Sequence, residues 1–286
     1  MLVELMTPAD RARVLPLISN TNGQVVMGGV ASGLQAGRVY VDDARAPQSA
    51  LVWARNEMFY LVGRSGHERF NRLAEQTIVS RLLPEALHAG EDTLNLETYP
   101  LPGQEWDAAV GRMFGGALRQ GWRIPFCFRE EMFEKFSHDY EHGPIKPSPK
   151  YQLRMVDPES VRQDAGGVIV TEILKFWHSL DDFYRYGFGT CVLYRDQVVG
   201  TCISVFVHDS NHEVGIVVYS TEHRGQGLAT AMAHEYVRTC LKHGCTPHWT
   251  TEHFRHDSAA IARKLGFEQG ASYPVHYAPI RELLAK

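Results

Sequence analysis

The segment Ser220-Thr-Glu-His-Arg-Gly-Gln-Gly-Leu-Ala-Thr230 holds the most readable chemistry in this chain. It follows a near-continuous apolar run, Val214 to Tyr219, and precedes an amphipathic stretch that reads as helical to about His243. The order is therefore strand, short loop, glycine pair, helix. The first N–H groups of a helix lack intrahelical partners, and the helix dipole favours negative charge beside them. Gly225 and Gly227 remove side chains that would block backbone approach, and Arg224 adds a fixed positive charge. A phosphate or pyrophosphate fits such a turn. Two nucleotide-binding patterns fit poorly. The dinucleotide fingerprint needs Gly or Ala where Thr230 stands, and its glycines follow the strand at once, whereas about five residues intervene here. The Gly-Lys-Ser/Thr of a P-loop is absent.

Other groups with chemical potential are scattered. Glu213 lies on the strand before the loop, Glu222 within the loop, and Glu252 at the end of a later strand. Histidines concentrate toward the C-terminus at His243, His248, His253 and His256. No H-E-x-x-H occurs, and Arg238 stands where His234-Glu235 would need a second histidine, so surface and core histidines are expected rather than a metal site. The cysteines, Cys127, Cys191, Cys202, Cys240 and Cys245, are odd in number and show no C-x-x-C spacing. Reduced thiols are expected, without a disulfide framework.

The elements that must position these groups fall in two halves. The chain of 286 residues is 44% hydrophobic and 22% charged, as expected for globular domains, with a net charge of −4. That charge argues against a nucleic-acid binder relying on a broad basic surface. No run approaches the roughly 20 apolar residues of a membrane span. The first residues lack the basic and apolar regions of a signal peptide, so a cytoplasmic location is expected. The proline-rich polar run from His138 to Pro149 predicts a linker. The boundaries follow: an N-terminal α/β domain over residues 1–137, a linker over 138–150, and a second domain over 151–286.

In the first half, residues 9–19 read as helix. Val39–Val41, Ala50–Trp53 and Met58–Val62 read as successive strands, with a turn at Asn56-Glu57. Residues 67–88 form a long amphipathic helix, 93–99 a strand, 105–115 a short helix and 124–128 a strand. No loop there resembles a phosphate cradle. In the second half, 151–156 is a strand and 169–177 a helix. Strands over 189–194 and 198–207 are joined by a hairpin turn at Arg195-Asp-Gln197. Gly244 sits where a glycine should end the long helix, and Pro247–Glu252 is the next strand. Asp257 or Ser258 caps a helix through Lys264, and residues 272–280 supply the last strand or two.

Arg224-Gly-Gln-Gly-Leu-Ala229 matches Q/R-x-x-G-x-G/A and resembles the pyrophosphate loop of the GCN5-related N-acetyltransferases. The strand that carries Glu213 and ends Val217-Val-Tyr219 supports the likeness. So does Ser258-Ala-Ala-Ile-Ala-Arg-Lys-Leu-Gly-Phe267, similar to the family's second signature. More narrowly, Phe176-Trp-His-Ser-Leu-Asp-Asp-Phe183, Gly187-Phe-Gly189 and His248-Trp249 resemble a two-domain bacterial subgroup that includes self-resistance acetyltransferases such as that for zwittermicin A. The resemblance implies a mixed, mostly antiparallel central sheet flanked by helices, an α/β (α+β) fold. It also implies that the N-terminal domain is a degenerate copy of that fold; without an R-G-x-G-x-A equivalent it binds no coenzyme A.

Further implications concern the site. The strand ending at Tyr219 should splay from Pro247–Glu252 and admit the pantetheine of acetyl-CoA, which pairs with backbone groups of Val217, Val218 and Tyr219. The diphosphate rests on N–H groups over Arg224, Gly225, Gln226, Gly227, Leu228, Ala229 and Thr230. An N–H near Val218 or Tyr219 polarises the thioester carbonyl, and the amine attacks directly with both substrates bound. Glu213 is the candidate base, directly or through water, its alternative being an ordinary solvent-facing or salt-bridged strand residue. Glu252 is a weaker candidate and Glu222 is expected to be solvated. Ala262 stands where many members carry a tyrosine acid, and Arg255 replaces the usual asparagine. Tyr273 and Tyr277 are then the candidate acids. Ser258 either bonds the cofactor or caps its helix. Trp177, Phe183, Tyr184, Tyr186 and Trp249 either line an acceptor pocket or pack the core.

The expected partners are acetyl-CoA and a small-molecule amine, with no metal, nucleic acid or membrane. Nothing in the sequence sets an oligomeric state. A non-catalytic acyl-CoA-binding module and a protein N-acetyltransferase remain the alternatives.

Overall fold

The computed structural model describes residues 1–142 and 147–285. The first half runs β1 (Val3–Glu4), α1 (Pro8–Arg11), α2 (Leu15–Ile18), α3 (Gln24–Ser32), β2 (Gly37–Val41), β3 (Ser49–Ala54), β4 (Met58–Gly63), α4 (Glu68–Thr77), α5 (Leu83–His88), β5 (Thr93–Pro100), α6 (Asp107–Phe114), β6 (Arg119–Phe128) and α7 (Glu130–His142). The second runs β7 (Tyr151–Met155), α8 (Pro158–Gln163), α9 (Val168–Phe176), α10 (Leu180–Tyr186), β8 (Gly189–Tyr194), β9 (Gln197–His208), β10 (Asn211–Val218), α11 (Leu228–Lys242), β11 (Thr246–Glu252), α12 (His256–Lys264), β12 (Phe267–Gln269), β13 (Tyr273–Pro279) and α13 (Ile280–Leu284).

Two compact units result: Met1–Arg123 with Tyr273–Lys286, and Ile124–Ser272. This corrects the boundaries expected from the proline-rich run. In unit 1 the strand order is β1-β2-β3-β4-β5-β13-β6, so the last strand of the chain completes the first unit. There it pairs antiparallel with β5 and with Arg119–Arg123 of β6. In unit 2 the end of β6 takes the corresponding place, pairing with β12 through Phe126, Cys127 and Phe128. The order continues β6-β11-β10-β9-β8-β7. Strand exchange of this kind is non-local and leaves no mark on composition. The expected linker shifts too: α7 extends to His142, and residues 143–146 of the proposed linker lie outside the described residues.

Each unit repeats one order of elements: a strand, short helices, three antiparallel strands, a helix, a strand parallel to the third, and another helix. The core of unit 1 gathers Leu51, Trp53, Phe59, Leu61, Phe70, Leu82, Leu94, Leu96 and Trp106. That of unit 2 gathers Phe126, Val192, Cys202, Met232, Tyr236, Val237, Trp249 and Phe267.

Most elements follow the sequence pattern, with informative exceptions. The helix expected over 9–19 breaks into α1, a 3-10 turn at Ala12–Val14 and α2. The long helix over 67–88 contains a π-helical turn, Ile78–Leu82, just before Pro84. Proline lacks an N–H and its ring crowds the preceding turn, so a widened turn accommodates it. Helix α3 escapes the periodicity because it is buried on nearly every side. The hairpin between β8 and β9 turns on Arg195 and Asp196, at φ 50° and 61°. Among the described residues no helix is long and apolar enough to cross a membrane.

Candidate active site

Strands β10 and β11 run parallel for only three residue pairs, Asn211 with Thr246, His212 with Pro247 and Glu213 with His248. A register shift against β9 falls between Glu213 and Val214, which bends β10 away. Beyond it the ladder to β11 stops. The Thr250 N–H instead donates to Glu213 Oε1 at 3.1 Å, and the Thr250 hydroxyl donates to the same oxygen at 2.9 Å. The Glu213 carboxylate thus holds β11 at the apex of a wedge-shaped gap.

The other carboxylate oxygen, Oε2, is bonded to His248 Nδ1. Glu213 is 4% exposed, so it is not a solvent-facing strand residue, while its contact with His248 agrees with the salt-bridged form of that alternative. The His248 side chain keeps 25% of its surface exposed. Burial is costly for an ionised carboxylate unless it is hydrogen-bonded, and here several donors surround it. A carboxylate that holds one ring nitrogen of a histidine fixes the tautomer and directs the other nitrogen outward.

Alternation along β10 decides which backbone groups face the gap. The Tyr219 N–H donates to the Val199 carbonyl at 3.0 Å, and Val217 lies opposite Thr201 in the same antiparallel ladder. Residues 217 and 219 therefore turn their amides toward β9, while Ile216 and Val218 turn theirs toward the gap. This corrects the expectation for Val217 and Tyr219 and brings in Ile216, which the motif did not indicate. The Val218 carbonyl accepts from Arg224 Nε at 3.3 Å. Tyr219 uses its side chain instead: its hydroxyl meets Thr201 Oγ1 at 2.9 Å and donates to Glu172 Oε2 at 3.2 Å. Burial, reinforced by Glu172, pushes that phenol well above its ordinary range.

At the far end of β10 the loop makes a 3-10 turn, Thr221–His223, and then exposes Arg224, Gly225, Gln226 and Gly227. Gly225 and Gly227 adopt φ of 70° and 75°, the left-handed region that a Cβ disfavours. Gly227 is the N-cap of α11; no side chain caps the helix and its first turn holds no acidic residue. The N–H groups of Leu228, Ala229 and Thr230 lie in that uncapped first turn, the feature that suits a diphosphate. Glu222, with 74% of its side chain exposed, contacts Ser220 and His223.

Other expected site residues go elsewhere. Tyr273 and Tyr277 belong to β13 in unit 1, where the Tyr273 hydroxyl donates to Glu97 Oε1 at 3.1 Å. Ser258 does not cap its helix, whose N-cap is Arg255. Helix α12 starts at His256, and the buried Ser258 hydroxyl accepts the Trp249 indole N–H at 3.1 Å. Trp177, Phe183 and Trp249 are core residues, each at most 1% exposed. Glu252 ends β11 and its carbonyl accepts the Arg255 N–H. Among the described residues no group of three or more His, Cys, Asp or Glu side chains is arranged to hold a metal ion.

His248 is the functional candidate that motif reasoning passed over. It stands 35 positions from Glu213, and only the β10–β11 register joins them.

A family model described as GNAT acetyltransferase matches residues 15–276. An uncharacterized N-acetyltransferase, YdfB, of Bacillus subtilis (strain 168) is 25% identical over 246 residues, covering 84% of this chain and 85% of that protein. A crystal structure of a GCN5-related N-acetyltransferase-like protein from Streptococcus suis 89/1591 superimposes with a TM-score of 0.67 at 20% identity, covering 95% of this chain and 99% of the other. A tandem GNAT protein from the clavulanic acid biosynthesis pathway gives a TM-score of 0.54 at 15% identity, covering 98% and 99%. A strand that parts from its parallel neighbour, a glycine turn into an uncapped helix, and a match spanning nearly the whole chain converge: this protein belongs to the GNAT acetyltransferases, a family of acyltransferase enzymes that generally use acetyl-CoA.

Proposed function

We propose that this enzyme transfers the acetyl group of acetyl-CoA to a primary amine of a small molecule, with both substrates bound together in unit 2. The observation that carries the proposal is the gap between β10 and β11, with a histidine–carboxylate pair at its apex and the uncapped helix α11 beyond its mouth. Main-chain groups of Ile216 and Val218 pair with pantetheine and polarise the thioester carbonyl. The diphosphate rests on the turn from Arg224 to Thr230.

An alkylammonium with a pKa of about 10.4 must lose a proton before it can attack. His248 Nε2 accepts it, while Glu213 holds Nδ1–H and balances the imidazolium charge. The amine nitrogen bonds to the acetyl carbon, the carbon–sulfur bond breaks, His248 returns its proton to the departing thiolate, and the acylated nitrogen releases its surplus proton to water. This route needs no tyrosine at position 262, where the buried Ala262 stands. Glu213 acts as a positioning residue in this scheme, and orientation of the two substrates supplies much of the acceleration.

The test is release of coenzyme A thiol from acetyl-CoA across a panel of small primary amines. The expected result is release that depends on the amine. Binding of acetyl-CoA without release for any amine identifies a non-catalytic acyl-CoA-binding module, and release only with peptide acceptors identifies a protein N-acetyltransferase.

A further inference from the structure

Unit 1 carries a cleft of about 250 Å³ whose lining residues all belong to that unit. Helix α6 supplies Asp107, Val110, Gly111 and Phe114, at spacings of three, four and seven, so one face of the helix forms a wall. Leu118 and His276 of β13 also line it. Val110 and Phe114 are buried and belong to the unit 1 core, whereas the Asp107 side chain keeps 68% of its surface exposed. The cleft thus runs from an apolar interior to an acidic rim. Among the described residues no lysine or arginine lines it.

Two observations point to a ligand. The first is the state of the polar groups. His276 Nε2 lies 4.0 Å from Asp107 Oδ1, beyond hydrogen-bond range, and the buried Nδ1 has no hydrogen-bond partner among the described residues. Burial lowers the pKa of this imidazole against the opposing pull of Asp107, so it is neutral at neutral pH and leaves the carboxylate charge uncompensated. The second is Gly111. It lies inside α6, its φ is not positive, and a Cβ added there would meet open space. Neither backbone conformation nor close packing calls for glycine, which weakens a helix relative to alanine. The missing side chain leaves the cleft open.

From this arrangement we infer that the cleft binds a small organic ammonium ion, its apolar body against Val110 and Phe114 and its N–H groups shared between the Asp107 carboxylate and His276 Nε2. Two acceptors 4.0 Å apart suit one ammonium nitrogen, whose N–H groups diverge tetrahedrally. His276 then carries its own proton on Nδ1 and offers the Nε2 lone pair. An apolar cavity of about 150 Å³ holds benzene, so this cleft takes one ring with a short arm. The inference does not depend on acetyl-CoA binding in unit 2. It gives unit 1, where no loop resembles a phosphate cradle, a ligand of its own.

The experiment is an NMR titration of the full-length protein, without acetyl-CoA, using N-methylbenzylammonium and its neutral isostere benzyl methyl ether as probes. The wild type is expected to bind the ammonium ion on the order of tenfold more tightly than the ether. Gly111→Leu fills the cleft and strengthens the helix. It is expected to lose that preference at an unchanged or raised melting temperature. Asp107→Asn is expected to bind the two probes about equally. Acetyl-CoA affinity, measured in parallel by calorimetry, should be unchanged in both variants, so failure of the cleft and failure of the acetyl-CoA reading appear in separate measurements. Equal wild-type affinity for the two probes, an ammonium preference that survives in Gly111→Leu, or no binding at all overturns the inference.

Discussion

The fourth and fifth strands of the repeated order meet differently in the two units. In unit 1, β4 and β5 pair through five consecutive positions, from Phe59 with Leu96 to Gly63 with Pro100. In unit 2, β10 and β11 pair through three and then part. Every residue of β4 is buried, whereas Gly215 to Val218 of β10 are all partly exposed. The connections beyond differ as well. Unit 1 passes through Arg64-Ser-Gly-His67 into a helix whose first turn carries Glu68, so acidic charge already meets its dipole. Unit 2 enters α11 through two left-handed glycines and places no acid there. The same order of elements is thus closed and buried in one unit and parted and partly exposed in the other. The local causes are the register shift after Glu213 and the replacement of a backbone acceptor by the Glu213 carboxylate.

The largest effect should come from the apex of the gap. His248→Gln is expected to lower kcat by about 10²–10⁴-fold with little change in KM for acetyl-CoA, because a proton acceptor acts in the transition state. Glu213→Gln should lower it less, and steady-state kinetics on the best amine of the panel decides. An unchanged kcat in His248→Gln would show that the apex in unit 2 is structural.

Next comes the turn. Gly227→Glu combines left-handed strain with repulsion of a phosphate, and should weaken acetyl-CoA binding by on the order of 100-fold or more by titration calorimetry. Gly66→Glu, in the connecting loop of unit 1, where the added Cβ meets open space, should leave the affinity unchanged.

Stability should show the reverse asymmetry. Leu61, 0% exposed on β4, is expected to cost about 2–5 kcal/mol when replaced by alanine, with acetyl-CoA affinity intact. Ile216→Ala on the open strand should cost less, and urea denaturation compares the two.

The smallest effect concerns acid. Burial pushes the His212 pKa down to about 4, and its Nδ1 meets the Ser204 hydroxyl at 3.1 Å. Burial also lowers that of His276 in unit 1. Between the ordinary histidine pKa and the folded value, the unfolded chain binds the extra proton and the folded chain does not. Stability should therefore fall as pH drops from about 6.5 toward 4. His212→Asn should flatten part of that fall, read as the difference between wild-type and variant melting temperatures across the range.

Much of the fold was legible because it rests on short-range patterns. The strands at 58–63, 93–100 and 189–194 and the helix at 228–242 follow from apolar runs and a single amphipathic stripe. Gly244 ends α11 at φ 67°, as its position implied. What escaped was non-local or uniform. Helix α3 has no polar face to mark its period. The pairing of β13, which carries the candidate acids Tyr273 and Tyr277, with β5 and β6 of unit 1 is long-range and leaves no local mark.

The sequence by itself determined the turn from Arg224 to Thr230. Glycine conformation and unpaired helix N–H groups are properties of a few consecutive residues, and they hold wherever that turn is placed. Tertiary structure alone decided that Glu213 grips His248, that Tyr219 directs its amide to β9, and that Ser258 serves Trp249. Each of those depends on which strand lies beside which and in what register. A shift of one residue turns every side chain to the opposite face, so partners distant in sequence become definite only once the sheet is assembled.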